Sequence, residues 1–157
     1  MKIRTFQQDH WLPVPRERVF AFFADAGNLD AITPPWLNFE TLTPRPFTMA
    51  AGRVIDHRLR VHGVPITWQS EITVWEPPCR FVDEQRRGPY RRWRHEHTFE
   101  DKDGGTLMRD RIEYAVPGWF LEGLVNHWLV APDLRRIFAH RTARIEELLV
   151  VPARRER

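Results

Sequence analysis

The feature that most constrains the fold is a change of hydrophobic period near Pro117. From about residue 37 to 115 apolar residues recur at every second position, in runs that read as strands over 37–43, 53–62, 66–76, 80–87, 91–100 and 106–115. The breaks between them, "PRPFTMAAG", "HGVP", "EPP", "RGP" and "DKDGG", carry turn chemistry, and connections this short imply antiparallel neighbours. After Pro117 the period becomes helical, with Phe120, Leu121, Leu124, Val125 and Trp128 followed by Leu134, Ile137, Phe138, Ile145 and Leu148. Pro132 is expected to kink or divide that helix. Ahead of the meander lie a further strand over 3–12, a helix opened by Pro15 and carrying Val19, Phe20, Phe22 and Phe23, and a short helical turn over 28–32. The expected class is therefore α+β. A sheet of six to seven antiparallel strands must curl around one long C-terminal helix to bury its inner face.

A chain of 157 residues fits one domain, placed at 1–151 with a basic tail over 152–157. A single cysteine, Cys79, excludes a disulfide framework and fits a reducing cytoplasm. The N-terminal stretch "MKIRTFQQDHW" has no apolar run resembling a signal peptide, and no segment approaches a membrane span, so a cytoplasmic protein without stable membrane insertion is expected. Only two of the 24 basic residues are lysines, so 22 are arginines, a bias seen in phosphate and nucleic-acid binders. Twenty-one acidic residues nearly balance them and alternate with them, which argues for a solvated surface and against nucleic acid. The seven tryptophans and ten phenylalanines must pack somewhere or line something.

Alternation assigns faces. In "RRWRHEHTFE" the largely charged positions leave Trp93, His95, His97 and Phe99 pointing inward, and in "TLMRDRIEYA" they leave Met108, Asp110, Ile112 and Tyr114. The same rule turns Ile55, His57, Leu59 and Val61 inward on one strand, and Ile66, Trp68, Ser70, Ile72 and Val74 on the next. Strand 80–87 is ambiguous, with Phe81, Asp83 and Gln85 the favoured inner set. A hairpin closed on Asp103 and Gly104 sets His97 opposite Asp110; a two-residue slip would set His95 there instead. A buried Asp110 needs such a partner.

Two histidines, an aspartate and large aromatics on one inner surface leave three readings open. They can form a satisfied polar network that fixes sheet register. They can orient the polar group of a ligand held by aromatic contact. Or a histidine oriented by Asp110 can act as general base, with Tyr114 as acid or oxyanion donor, leaving His95, His97, Asp110 and Tyr114 as the catalytic candidates. HxH on a strand spaces two imidazoles for zinc, with His57 or Asp110 as a third ligand, but the pattern alone is weak and neither metal nor cofactor is expected. Trp36, Trp119, Trp128, Phe47 and Met49 are rim candidates, His127 and His140 are expected to be solvated or capping, and Arg141 either snorkels past the sheet edge or pairs with an acid such as Asp83.

The element order, with "VPRERVFAFFADAGNL", "FVDEQRRGPYRRWRHEHTF", "GGTLMRDRIEY" and "FAHRTARIEELL", resembles the SRPBCC superfamily over essentially the whole chain. That superfamily includes START lipid-binding domains, pollen-allergen proteins and polyketide cyclases; the "QxxGPxxxWxHxHxF" stretch is similar to an uncharacterised bacterial subfamily. The resemblance implies the helix-grip fold, with two short helices after strand 1 and a ligand cavity between sheet and long helix. The expected function is binding of a small, largely hydrophobic molecule bearing a polar group. The candidate ligand residues are His57, Trp68, Gln85, Trp93, His95, His97, Phe99, Met108, Asp110, Ile112, Tyr114 and Trp128. Two alternatives stand beside it, a polyketide cyclase or dehydratase using a His–Asp base, and a protein-interaction module with a collapsed cavity. Oligomeric state is not readable from the pattern.

Overall fold

A computed structural model describes all residues, 1–157. Strand β1 (Arg4–Leu12) is followed by helices α1 (Arg16–Ala24) and α2 (Ala26–Ile32) and a 3-10 turn at Pro35–Leu37. Then come β2 (Glu40–Thr41), β3 (Val54–Val61), β4 (Val64–Glu76), β5 (Arg80–Arg87), β6 (Arg92–Lys102) and β7 (Gly105–Ala115). They form one seven-stranded antiparallel sheet in the order β1-β7-β6-β5-β4-β3-β2. The strand expected over 37–43 shrinks to two residues, because Leu37 belongs to the 3-10 turn and Asn38 leaves it in the left-handed region. No helix is long and apolar enough to cross a membrane.

Two hairpins have the geometry that tight turns demand. His62 and Gly63 both take positive φ between β3 and β4, and Asp103 and Gly104 do so between β6 and β7, the conformation of a two-residue turn that matches strand twist. The second turn sets His97 opposite Asp110. On β4 the pairing register shifts between Ile72 and Val74. The shift is a bulge that exchanges the faces beyond it, so Trp75, rather than the expected Val74, packs inward against Phe20 and Phe81.

From Trp119 onward the chain is helical without a break, through Glu122–Val125, Ala131–Ile145 and Val151–Arg155. Pro132 and Pro152 do not divide it. Each is preceded by a wider π turn, Asn126–Val130 and Glu146–Val150, which absorbs the lost N–H and the ring clash that proline imposes on the preceding turn. Residues 152–155, expected as part of a tail, continue this helix, and Ala153 is buried in the core.

The helix is tied to the β1 and β7 side of the sheet. Gln8 Nε2 donates to Thr142 Oγ1 at 2.7 Å, His10 Nε2 lies 3.0 Å from Glu146 Oε1, and the Tyr114 hydroxyl donates to Asn126 Oδ1 at 2.9 Å. One apolar cluster, including Phe20, Phe99, Met108, Ile145 and Leu149, fills the end of the sheet nearest α1. A second, with Ile112, Tyr114, Leu134 and Phe138, packs under the middle of the helix. The strands β3 to β5 curve away from the helix and leave space.

Two adjacent glycines test this account of the β6–β7 turn. At Gly104 a Cβ meets nothing, so Gly104→Ala pays only for its left-handed backbone, about 1 kcal/mol. At Gly105 an added Cβ would overlap the Leu12 carbonyl oxygen and come within 2.9 Å of the Trp11 ring. Gly105→Ala is therefore expected to lower the urea midpoint more than Gly104→Ala; the reverse order would contradict the close approach of β1 to β7.

Candidate functional site

Between the curved strands and the helix lies a cavity of about 360 Å³, lined by 36 residues of which 24 are hydrophobic. Strands β3 and β4 contribute Ile55, Leu59, Ile66 and Trp68, and the helix contributes Leu129, Leu134, Ile137 and Phe138. Tyr90, on the β5–β6 connection, stands against Trp68 and Trp93 at ring separations of 5.6 and 4.8 Å. At the rim, His62 Nε2 lies 2.7 Å from Asp133 Oδ2, joining the β3–β4 turn to the helix across the gap.

One wall is polar. Strict alternation on β6 puts His95 and His97 side by side on the inner face, with ring centroids 3.7 Å apart. Asp110 comes from β7 and Asp83 from β5, the flanking strands. His95 Nε2 lies 2.8 Å from Asp110 Oδ1, and His97 Nε2 lies 2.8 Å from Asp83 Oδ2. His97 Nδ1 is also 3.2 Å from Asp110 Oδ1, but out of line for a hydrogen bond, so it contributes attraction without a directed proton. His97 is further fixed by stacking on Phe81, 4.0 Å away and nearly parallel.

Burial and pairing set the charges of this group. Burial alone would raise the Asp110 carboxyl, but its contacts with His95 and His97 outweigh that and hold it well below the usual carboxylate range. Asp83 is lowered for the same reason, against its own burial and chiefly through His97. Burial lowers His95, and together with the charge on neighbouring His97 it outweighs the raising effect of Asp110 and Asp83. His97 is also depressed by burial, yet two carboxylates at close range raise it above its ordinary value. The histidines are thus driven apart, with the first proton settling on His97.

Asp83, His95 and His97 also place three ligand atoms within 4.8 Å of one another. Ligand atoms around a tetrahedral zinc at its usual bond lengths stand about 3.3 Å apart. The 2.8 Å separation of His97 Nε2 and Asp83 Oδ2 is hydrogen-bond spacing instead.

Of the twelve residues expected to contact ligand, five line the cavity: His57, Trp68, Trp93, His95 and His97. The others are placed elsewhere for identifiable reasons. Phe99 and Met108 are consumed by the α1-side core, and Ile112 and Tyr114 by the core under the helix. Asp110, 2% exposed, sits behind the histidines and does not line the cavity. The Tyr114 hydroxyl, expected as a possible acid, is held by Asn126. Gln85 closes the β5–β6 connection by donating to the Tyr90 carbonyl and accepting from its N–H. Trp128 is 70% exposed, because the π turn over Asn126–Val130 shifts the helix phase and turns Leu129 and Val130 to the cavity edge instead.

Sequence reasoning missed Arg141 as a cavity residue. It neither snorkels out nor forms an ion pair with Asp83 but lines the cavity beside the histidines, 9% exposed. It also passed over Tyr90, which lies outside any strand and so carries no alternation signal. Of the rim candidates, Met49 lines the cavity, Trp36 packs edge-on to His140, and Trp119 is 80% exposed.

Two substitutions test these electrostatics. Asp110→Asn removes the charge that two imidazoles face and is expected to cost roughly 1 to 3 kcal/mol in urea unfolding near neutral pH; no loss would detach Asp110 from the network. His97 has a raised value when folded, so its stabilisation is complete below pH 6.5 and is lost as the pH rises through that raised value. The Asp83 and Asp110 contributions run the other way, present above 3.8 and lost in acid. The unmodified protein is therefore expected to lose stability between about pH 6 and pH 8.5, and His97→Gln to flatten that decline. An equal decline in both would contradict the charge assigned to His97.

Comparison with known proteins agrees with this architecture. The sequence profile of the family described as "Polyketide cyclase / dehydrase and lipid transport" matches residues 12–139. No curated protein matches the chain. Protein Ms6760 from Mycobacterium smegmatis is similar in structure at a TM-score of 0.66 and 16% identity, over 97% of this chain and 98% of that one. Mll3558 protein from Rhizobium loti gives 0.68 at 15% identity over 91% and 97%, and ginseng major latex-like protein 151 from Panax ginseng gives 0.67 at 11% over 92% and 96%. At such identities the likeness concerns the fold, a curved seven-stranded antiparallel sheet around a long C-terminal helix. With the family profile spanning most of its length, the chain belongs to the polyketide cyclase/dehydrase and lipid transport family, of the SRPBCC type.

Proposed function

We propose that this protein binds one small, mostly apolar molecule bearing a polar group, held between the sheet and the C-terminal helix. The observation that carries the reading is a cavity of about 360 Å³ with mostly hydrophobic walls, into which buried His57, His95, His97 and Arg141 and half-buried Asp83 bring polar groups. Apolar walls with a few convergent polar groups are the usual composition of a small-molecule site, and the volume falls within the range such sites occupy. A network needed only to fix register gains nothing from facing an open volume. The same open interior weighs against an interaction module with a collapsed cavity. The family description, which names both cyclase and lipid-transport members, is compatible with this reading.

A second reading rests on the His95–Asp110 pair. Its lowered value keeps His95 neutral at neutral pH, and Asp110 orients the ring, which are the properties of a general base acting on a bound carbonyl compound. In that case His95→Gln would abolish turnover of such a compound while leaving its binding within a few-fold.

The primary reading is tested with the neutral dye N-phenyl-1-naphthylamine, whose fluorescence rises in apolar surroundings. The expected result is saturable binding at one dye per chain, abolished by Ile66→Trp, which adds bulk from the cavity wall while the far-ultraviolet spectrum stays unchanged. Absence of saturable binding, or dye binding indifferent to Ile66→Trp, would contradict a cavity site.

A further inference from the structure

Arg141 enters the cavity from the C-terminal helix without a partner. It is buried, yet it makes no hydrogen bond and no ion pair within 4.0 Å, and its only close aromatic neighbour is Phe138, with the guanidinium carbon 5.1 Å from the ring centroid. A guanidinium carries five donors in a planar fork and keeps its charge even where burial depresses it, as here. Burying such a group unpaired is costly, and proteins ordinarily answer it with a carboxylate.

The two acids nearby do not answer it. The Asp83 and Asp110 oxygens at hydrogen-bond distance are directed to His97 and His95. Arg141 feels both carboxylates electrostatically but contacts neither. The polar groups of the opposite wall do not bond to it either: Ser70 makes no contact with it, and His57, the remaining titratable group buried there, faces Thr41 Oγ1 at 3.5 Å and packs against Phe39. The unused donors of Arg141 adjoin a volume lined mostly by hydrophobic side chains.

We propose that the ligand of this cavity is an apolar monoacid whose carboxylate forms a forked ion pair with Arg141, while its hydrocarbon body fills the space toward Trp68 and Ile66. The proposal rests on the cavity being a binding site, as argued above. Planar, two-pronged recognition of a carboxylate is what a guanidinium does best. A single negative charge is favoured over the double charge of a phosphate monoester, because Asp83 and Asp110 stand close behind and repel each added charge. Arg141 thus becomes the residue that selects an acid over a neutral molecule of the same shape.

The test is isothermal titration calorimetry with decanoate and its uncharged twin decan-1-ol, against the unmodified protein, Arg141→Gln and Arg141→Lys. In the unmodified protein decanoate is expected to bind at least tenfold more tightly than the alcohol. Arg141→Gln should weaken decanoate roughly ten- to hundredfold, the loss expected for a charged hydrogen-bonded pair, while leaving the alcohol within about twofold. Arg141→Lys, which keeps the charge but not the fork, should fall between. Decanoate binding no more tightly than the alcohol, or unaffected by Arg141→Gln, would overturn the assignment and leave the cavity reading standing. If neither compound binds, the cavity reading itself fails and the assignment with it. Thermal unfolding supplies a second readout. Removal of an unpaired buried charge should not lower Tm, whereas a marked fall with unchanged decanoate affinity would make Arg141 a structural partner of Asp83 and Asp110 instead.

Discussion

The buried contact of Asp110 with His95 and His97 is the interaction on which the interior depends. A carboxylate 2% exposed inside a sheet is tolerable only if charge or protons meet it, and the two imidazoles on the adjacent strand do so. That pairing requires His97 to lie opposite Asp110, which ties the register of β6 and β7 to the turn at Asp103 and Gly104. A one-residue slip would turn both histidines to the outer face and bury the arginines and glutamates between them. The polar wall and the sheet register are therefore one constraint, met by the same residues.

The hollow is a consequence of how the helix is attached. Gln8, His10 and Asn126 secure it to the β1 and β7 side, where the apolar clusters leave no room. On the other side the β4 bulge bends the sheet, and the contact that spans the gap is the rim pair of His62 and Asp133. Two prolines lie in the helix, and each is absorbed by a π turn, so the helix runs past both core and cavity without a break. Its inner stripe can then serve two environments, with Leu134, Ile137 and Phe138 shared between the core and the cavity wall and Arg141 set against the open volume.

Much of this was legible in the sequence because it follows from period. Alternation placed His95, His97 and Asp110 on the inner face, and turn chemistry placed His97 opposite Asp110. Alternation fails at a bulge, which is why Val74 was assigned inward in place of Trp75. It also says which face a residue occupies but not whether that face is filled. Phe99, Met108 and Ile112 share the inner face with the histidines yet lie where α1 or the helix covers the sheet, so they belong to the core. Trp128 was misplaced because the phase of a helix changes across a π turn that no residue pattern announces. Arg141 was weighed as a charge needing rescue, and what it faces depends on the curvature of strands distant in sequence.

The central claim is that the polar wall of the cavity is an electrostatically differentiated group, with one imidazole holding a proton that its neighbour is denied. The most direct measurement is a nitrogen-15 NMR titration of the imidazoles, assigned through His95→Gln and His97→Gln. The account predicts two separated steps, with His97 keeping its proton above the ordinary histidine value and His95 losing its proton below it. Both rings titrating together near 6.5 would contradict it, because two histidines in direct contact with buried carboxylates and with each other cannot behave as free imidazoles.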